Sequence, residues 1–342
     1  MSLPDWLVEI PSRPFIETGL ETFLPLPPGD RALVEIGGAI APGDPILEHL
    51  RDPRIDEVTI PLSGNGTTPA VGARWTPTEE AGRRRHASDS AGELLGRMPG
   101  RGDRWRIVTG DHRDTVPSPV GGTVVQVAPG AKLALLVAGR AIRAAFGAGS
   151  AARGRLELAT DATGELRAGG IDVARAGSIL VVGSRIDAEA LTRARAMGVR
   201  GIIVGSLPGK ELRDFVASER RQAATLHGMA AFGVLALSGA VRRPIPSPLA
   251  RLLQRLAGRE VALLVDPPAL VFDDPGVTLP DIDPDWVWVR SGPHAGAEGR
   301  VLGLGGRRRF IGNVVLEVAR VSFDGADPVD VPIGDLERFT VA

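Results

Sequence analysis

The sequence predicts a multidomain protein of β and α/β architecture, and three patterns along its 342 residues carry that reading. Short Val/Ile runs punctuated by Pro and Gly fill residues 22–75, and β-type runs return from Val116 to about Leu166. Continuously apolar runs then alternate with helical spacing over residues 170–272. Residues 283–342 revert to strands broken by glycines. A prior of about 100–200 residues per domain allows two or three domains. Apolar residues at 43% and charged residues at 24% match the globular average, which excludes wholesale disorder and an integral membrane protein.

Taken in order, Arg31-Ala-Leu-Val-Glu-Ile36 and Val58-Thr-Ile60 read as small strands joined by turns. Residues 76–104, with Thr78-Glu-Glu-Ala-Gly-Arg-Arg-Arg85 and Gly96-Arg-Met-Pro-Gly-Arg-Gly102, lack apolar periodicity and read as a solvated loop excursion. Ser178-Ile-Leu-Val-Val182 is a buried strand. It is followed by Asp187 as N-cap and by Ala188, Leu191, Ala194 and Met197 at helical spacing until Gly198. Gly201–Gly205, Phe232–Leu237 and Val261–Val265 are further strands, separated by helices over 209–221 and Pro248–Ala257. Apolar strands between helices indicate a parallel sheet covered on both faces. Asp273-Asp-Pro-Gly276 through Asp281-Ile-Asp-Pro284 reads as a linker.

Zero Cys excludes disulfides, Cys-ligated zinc, iron–sulfur clusters and thiol nucleophiles. A net charge of −1 argues against a chain coated in positive charge for nucleic acid, although residues 170–272 carry a local excess of +6 that includes Arg220-Arg221 and Arg242-Arg243. The N-terminus has no basic stretch followed by an apolar one, and no apolar run approaches 18 residues, so the expected location is cytoplasmic with no membrane partner.

The segment Val287-Trp-Val-Arg-Ser-Gly-Pro-His-Ala-Gly-Ala-Glu-Gly-Arg-Val301 sets Gly292, Gly296 and Gly299 in a hairpin pattern where tight turns or positive φ are needed. With the strands at Val314–Phe323 and Val329–Ile333 it resembles a KOW motif, as found in transcription elongation factors of the NusG type and in some ribosomal proteins. Pro332-Ile-Gly-Asp-Leu-Glu337 resembles that family's closing segment. The resemblance implies an SH3-like β-barrel over 283–342 that contacts RNA or protein through Arg290, His294, Arg300 and Arg307-Arg308-Arg309. Seven Arg against nine Asp plus Glu in this module leave a net −2, so electrostatic attraction to nucleic acid is weak outside Arg307–Arg309.

Val34–Leu47 and Val116–Val127 resemble the two halves of a split barrel-sandwich hybrid, the fold of biotinyl and lipoyl carriers, in the order seen in the N-terminal module of RnfC-type subunits. Glycines 43, 121 and 122 would turn the strands, and Ile40, Ile46, Val124 and Val127 would share a small core. Neither turn presents the lysine of an attachment site, and Lys132 follows Gly130-Ala131 beyond the expected tip, so no covalent cofactor is expected. The module is then structural or a docking device.

Gly205-Ser-Leu-Pro-Gly-Lys-Glu211 lies between strand and helix where a Walker A loop would be, but it is one residue short and has Glu211 in place of the Mg²⁺-binding hydroxyl. Ser206, Gly209 and Lys210, with Ser184 in the equivalent Gly183–Asp187 loop, form a candidate anion site at the carboxyl edge of the sheet. His49, His86, His112, His227 and His294 stand alone, and Gly110-Asp-His-Arg-Asp114 reads as turn chemistry, so no catalytic or metal-binding set is assigned.

These readings converge on a split barrel-sandwich β module over 22–166, a central parallel-sheet α/β domain over 170–272 and a C-terminal SH3-like barrel. The expected function is non-enzymatic: an adaptor docking on RNA, RNA polymerase or the ribosome, without cofactor. The alternatives are an enzyme or small-anion binder using the α/β loops, and a structural assembly subunit that forms homo-oligomers through its β modules.

Overall fold

The computed structural model describes residues 9–51, 53–60, 71–75, 92–99, 104–110, 112–225, 230–324 and 327–340. Among them the chain is β-rich, with three α-helices, and none of these helices is long and apolar enough to cross a membrane. It divides into one compact unit of Met1–Thr18, Gly139–Gln222 and Ala230–Ala342, and another of Gly19–Ala138 with Ala223–Met229.

The second unit is built of strands. Its two sequence halves zip together: Ala39–Ile40 pairs with Gly122–Ala128, and Pro45–Leu50 pairs with Arg113–Pro117. Gly43 N–H donates to the Ser118 carbonyl and Ser118 N–H to the Asp44 carbonyl, both at 2.8 Å. Ile40, Ile46 and Val124 are buried. Gly122 is required where it stands, because a Cβ there would lie 2.1 Å from the Leu136 carbonyl oxygen. Lys132 begins the strand Lys132–Val137 directly after the Gly130 turn, and its ammonium sits 3.9 Å over the Phe23 ring.

The excursion over 76–104 is not wholly loop. Gly92–Arg97 is a strand between Arg74–Trp75 and Arg104–Thr109, and Leu94 packs with Val58, Trp105 and Ile107. Its burial rests on Leu94 amid Gly and Arg, too sparse a pattern to show as period two. Residues 76–91 and 100–103 lie outside the described residues.

The first unit holds a nine-stranded sheet, in the order Phe146–Gly149, Gly233–Ala236, Gly201–Val204, Ser178–Val182, Ala152–Leu158, Glu260–Val265, Pro268–Phe272, Arg140–Arg143 and Glu17–Thr18. The expectation of a parallel sheet is corrected to a mixed one: only Ala152–Leu158, Ser178–Val182, Gly201–Val204 and Gly233–Ala236 run parallel. The boundary moves too, since residues 140–158, assigned by pattern to the N-terminal module, are strands of this sheet. A strand's apolar pattern records burial, not which sheet it joins.

Alternate side chains divide the sheet's two faces. Leu180, Val182, Ile202, Val204 and Val234 cluster with the helix Ala188–Ala196 (α1) and with Phe215 of Gly209–Thr225 (α2). Ile179, Val181, Ile203 and Leu235 cluster with Leu249, Leu252, Leu253 and Leu256 of Ser247–Leu256 (α3). Asp187 caps α1, its carboxylate accepting from Ala190 N–H at 2.7 Å, and Gly198 at φ +82° follows its end.

The segment expected to be a linker is instead a surface strap pinned by a few buried side chains. Val277 and Ile282 enter the core on the α3 face. Arg140 donates to the carbonyls of Asp274 and Val277, and Arg255 donates to that of Thr278 at 2.6 Å. Two buried aliphatics among Asp, Pro and Gly gave no periodicity to read.

The C-terminal residues form a six-stranded sheet in the order Ser12–Pro14, Leu336–Thr340, Trp286–Val289, Glu298–Arg309, Val315–Phe323 and Val329–Pro332, with Ser12–Pro14 parallel to its neighbour. Ile10 joins Val287, Val289, Val301, Ala319, Val321, Val331 and Leu336 in its core. Gly292 and Gly296 adopt φ of +82° and +89°, as a tight turn demands. Gly299 differs: it is needed for close approach, since a Cβ would lie 2.6 Å from the Ser322 carbonyl oxygen. Glu298 ties this sheet to α3, accepting from Ser247 N–H at 2.7 Å, from the Ser247 hydroxyl and from Trp286 Nε1–H at 3.0 Å.

Candidate functional site

The residues singled out on the C-terminal module do not share one surface. His294 stacks on Phe323 at 5.3 Å, and Arg300 pairs with Asp283 of the strap. Arg307, Arg308 and Arg309 stand on an arm. Glu298–Arg309 and Val315–Phe323 remain paired out to Arg309 and Val315, whereas Trp286–Val289 accompanies them only at Glu298–Arg300 and Val329–Pro332 reaches no further than Val318. A two-stranded ribbon is left beyond, closed by a turn in which Phe310 N–H donates to the Val314 carbonyl at 2.8 Å.

The arm exposes Ile311, Val314, Val315 and Leu316, with Ile311 at 102% of its reference area, and Leu302 and Leu304 are exposed on the stretch before it. Its cations are partly compensated: Arg307 lies 3.4 Å from Glu317 and Arg308 lies 2.9 Å from Asp330. Hydrogen bonding from Arg308 holds the Asp330 carboxyl below its ordinary range. Val315 and Leu316 of the arm line an open hollow of about 770 Å³ together with Pro332, Ile333, Gly334 and Asp335.

The loop residues of the candidate anion site are engaged elsewhere. The Ser184 hydroxyl donates to the Thr163 carbonyl at 2.7 Å, and the fully buried Ser206 hydroxyl donates to the Ser184 carbonyl at 2.9 Å and accepts from Arg243 N–H at 3.1 Å. Loops 160–164 and 239–245 press onto the carboxyl edge here: a Cβ at Gly183 would lie 2.2 Å from the Asp161 carbonyl oxygen, and one at Gly205 would lie 2.7 Å from that of Arg243. Ser184 and Ser206 therefore lock turns rather than face an anion, a correction to the sequence expectation. Gly209 and exposed Lys210 open α2.

The isolated histidines fare similarly. His49 Nδ1 lies 2.8 Å from Asp30, whose other oxygen accepts from Leu50 N–H. Asp114 is bound by Arg51. His86, Asp111 and His227 lie outside the described residues.

A site unforeseen in the sequence opens one strand over. Leu237, Ser238 and Gly239, at the carboxyl end of Gly233–Ala236, line a cleft of about 410 Å³ with Arg13, Arg243, Trp288, Arg290 and Glu337. Arg13 approaches Glu337 at 3.6 Å, reaches the Leu237 carbonyl at 3.5 Å and lies 5.0 Å over the Phe339 ring. The Arg243 guanidinium lies 5.3 Å over the Trp288 ring. Burial, then the neighbouring charge of Arg290, lowers the pKa of Arg243; burial is also the main cause for Arg13, with Glu337 opposing it. Arg13 and Leu237 are 224 residues apart, so no local motif could announce this cleft.

Among known families and curated proteins, no family model and no curated protein matches the chain.

Proposed function

We propose that the chain is a non-enzymatic cytoplasmic adaptor, whose KOW-like, SH3-type C-terminal module docks on a protein component of a transcription or translation machine. The carrying observation is the arm, a two-stranded ribbon that exposes four large aliphatic side chains, Ile311, Val314, Val315 and Leu316. Unprotected apolar ribbon edges are association surfaces, and contiguous exposed apolar patches mark interaction sites. A protein partner is favoured over RNA because Arg307 and Arg308 already have carboxylate partners and the module's net charge is −2. The N-terminal β module, read as a split barrel-sandwich, supplies a second, structural or docking body.

The test is affinity capture from native lysate, with and without nuclease, using the parent and an Ile311→Glu/Val315→Glu variant. Retention of ribosomal or polymerase proteins by the parent, and their loss from the variant, supports the reading. Equal retention by both, no retention by the parent, or retention that nuclease abolishes overturns docking on protein; the last result points to RNA.

A further inference from the structure

The cleft at Ser238 has a property that packing alone does not explain. Arg13 Nε and Nη2, Ser238 Oγ, Arg243 Nε and Trp288 Nε1 are all buried and lack a hydrogen-bond partner, Arg13 Nε having only the Glu337 carboxylate at 3.6 Å. Buried polar groups are nearly always satisfied, so five orphans lining one cleft mark a place where acceptors belong. All five can donate, and Ser238 and Trp288 are only 8% and 2% exposed. A set made up of donors matches an acceptor-rich ligand.

Charge narrows the class. Arg13, Arg243 and Arg290 line the cleft against a single carboxylate, Glu337, which approaches Arg13 at 3.6 Å. The surplus is two positive charges, and guanidinium forks match oxyanions geometrically. Asp335 lies outside the cleft lining and accepts from the Ser291 hydroxyl. The volume of about 410 Å³ falls in the range of small-molecule pockets, and the position beyond the carboxyl end of a parallel strand is one where open sheets bind ligands.

We propose that this cleft binds a small phosphate-type dianion, inorganic phosphate or the phosphate group of a monoester, through Arg13, Arg243, Ser238 and Trp288, with Arg290 at its rim. The site stands independently of what the arm docks on.

The experiment is calorimetric titration of the full chain with inorganic phosphate, and separately with acetate at matched ionic strength, for the parent, Arg290→Ala and Arg243→Met. Saturable phosphate binding is expected, weakened about tenfold or more in Arg290→Ala, as loss of one charge-assisted contact requires. Arg290 is exposed, so its variant tests the proposal even where Arg243→Met fails to fold. Thermal unfolding without anion adds a second readout: Arg290→Ala is expected to keep or raise the midpoint, since it removes repulsion on Arg13 and Arg243. No saturable heat, or equal affinity in parent and Arg290→Ala, overturns the site. Acetate binding as tightly as phosphate overturns the assignment to a dianion.

Discussion

Two carboxylates show how single residues hold this protein together. Glu298 lies within the glycine-rich stretch 287–301, where attention falls on glycines and arginines, yet it reaches Ser247 and caps α3. Glu298→Ala is expected to cost about 0.5–2 kcal/mol, the range for a lost N-terminal cap, read by denaturant unfolding. Asp161 accepts from both the N–H and the hydroxyl of Thr163 at 2.9 Å, which holds its carboxyl below the ordinary 3.8. A depressed folded-state pKa contributes stability above the unfolded value, and that contribution is lost as pH falls through the folded value. Asp161→Asn should therefore be less stable than the parent at pH 7, with the gap closing as pH is lowered below 3.8, checked by unfolding at a series of pH values. The role of Glu298 was not legible beforehand, because its partner Ser247 is 51 residues away, whereas that of Asp161, with its partner two residues on, is local and was passed over as turn composition. The cap at Asp187 was legible, since donor and acceptor are three residues apart.

Among elements, α3 is the one whose loss the sheet would feel most directly. Leu252 is fully buried between helix and sheet, and Leu252→Ala is expected to cost about 2–5 kcal/mol, seen as a lowered denaturant midpoint at unchanged slope. The arm is the opposite case. Ile311→Glu replaces a side chain that touches solvent only, so stability should stay within about 0.5 kcal/mol of the parent while partner capture falls. The strand and helix succession from Ser178 to Val265 could be read from sequence because its signals are local: an apolar run, a cap, a helical spacing, a glycine stop. Strand direction could not, since Glu260–Val265 carries the same apolar run antiparallel to Ala152–Leu158 as it would carry parallel to it.

At the scale of the whole molecule, residues 9–18 serve two sheets. Ser12–Pro14 lies along Leu336–Thr340, Ile10 enters the C-terminal core, and Glu17–Thr18 closes the edge of the nine-stranded sheet. Deleting residues 9–14 should lower the thermal midpoint of this unit by about 10 °C, given the loss of a buried Ile and a strand's pairing, as scanning calorimetry would show. The division into modules was legible where composition changes, but a boundary placed at 166 missed this early segment and residues 140–158, which belong with sequence made much later. One consequence concerns timing on the ribosome. Residue 12 is synthesised more than three hundred residues before residue 338, its eventual neighbour, and loop closure over such a span is slow. Ser12–Pro14 must therefore wait without its partner strand while more than three hundred further residues are made, and only Leu336–Thr340 gives it a place.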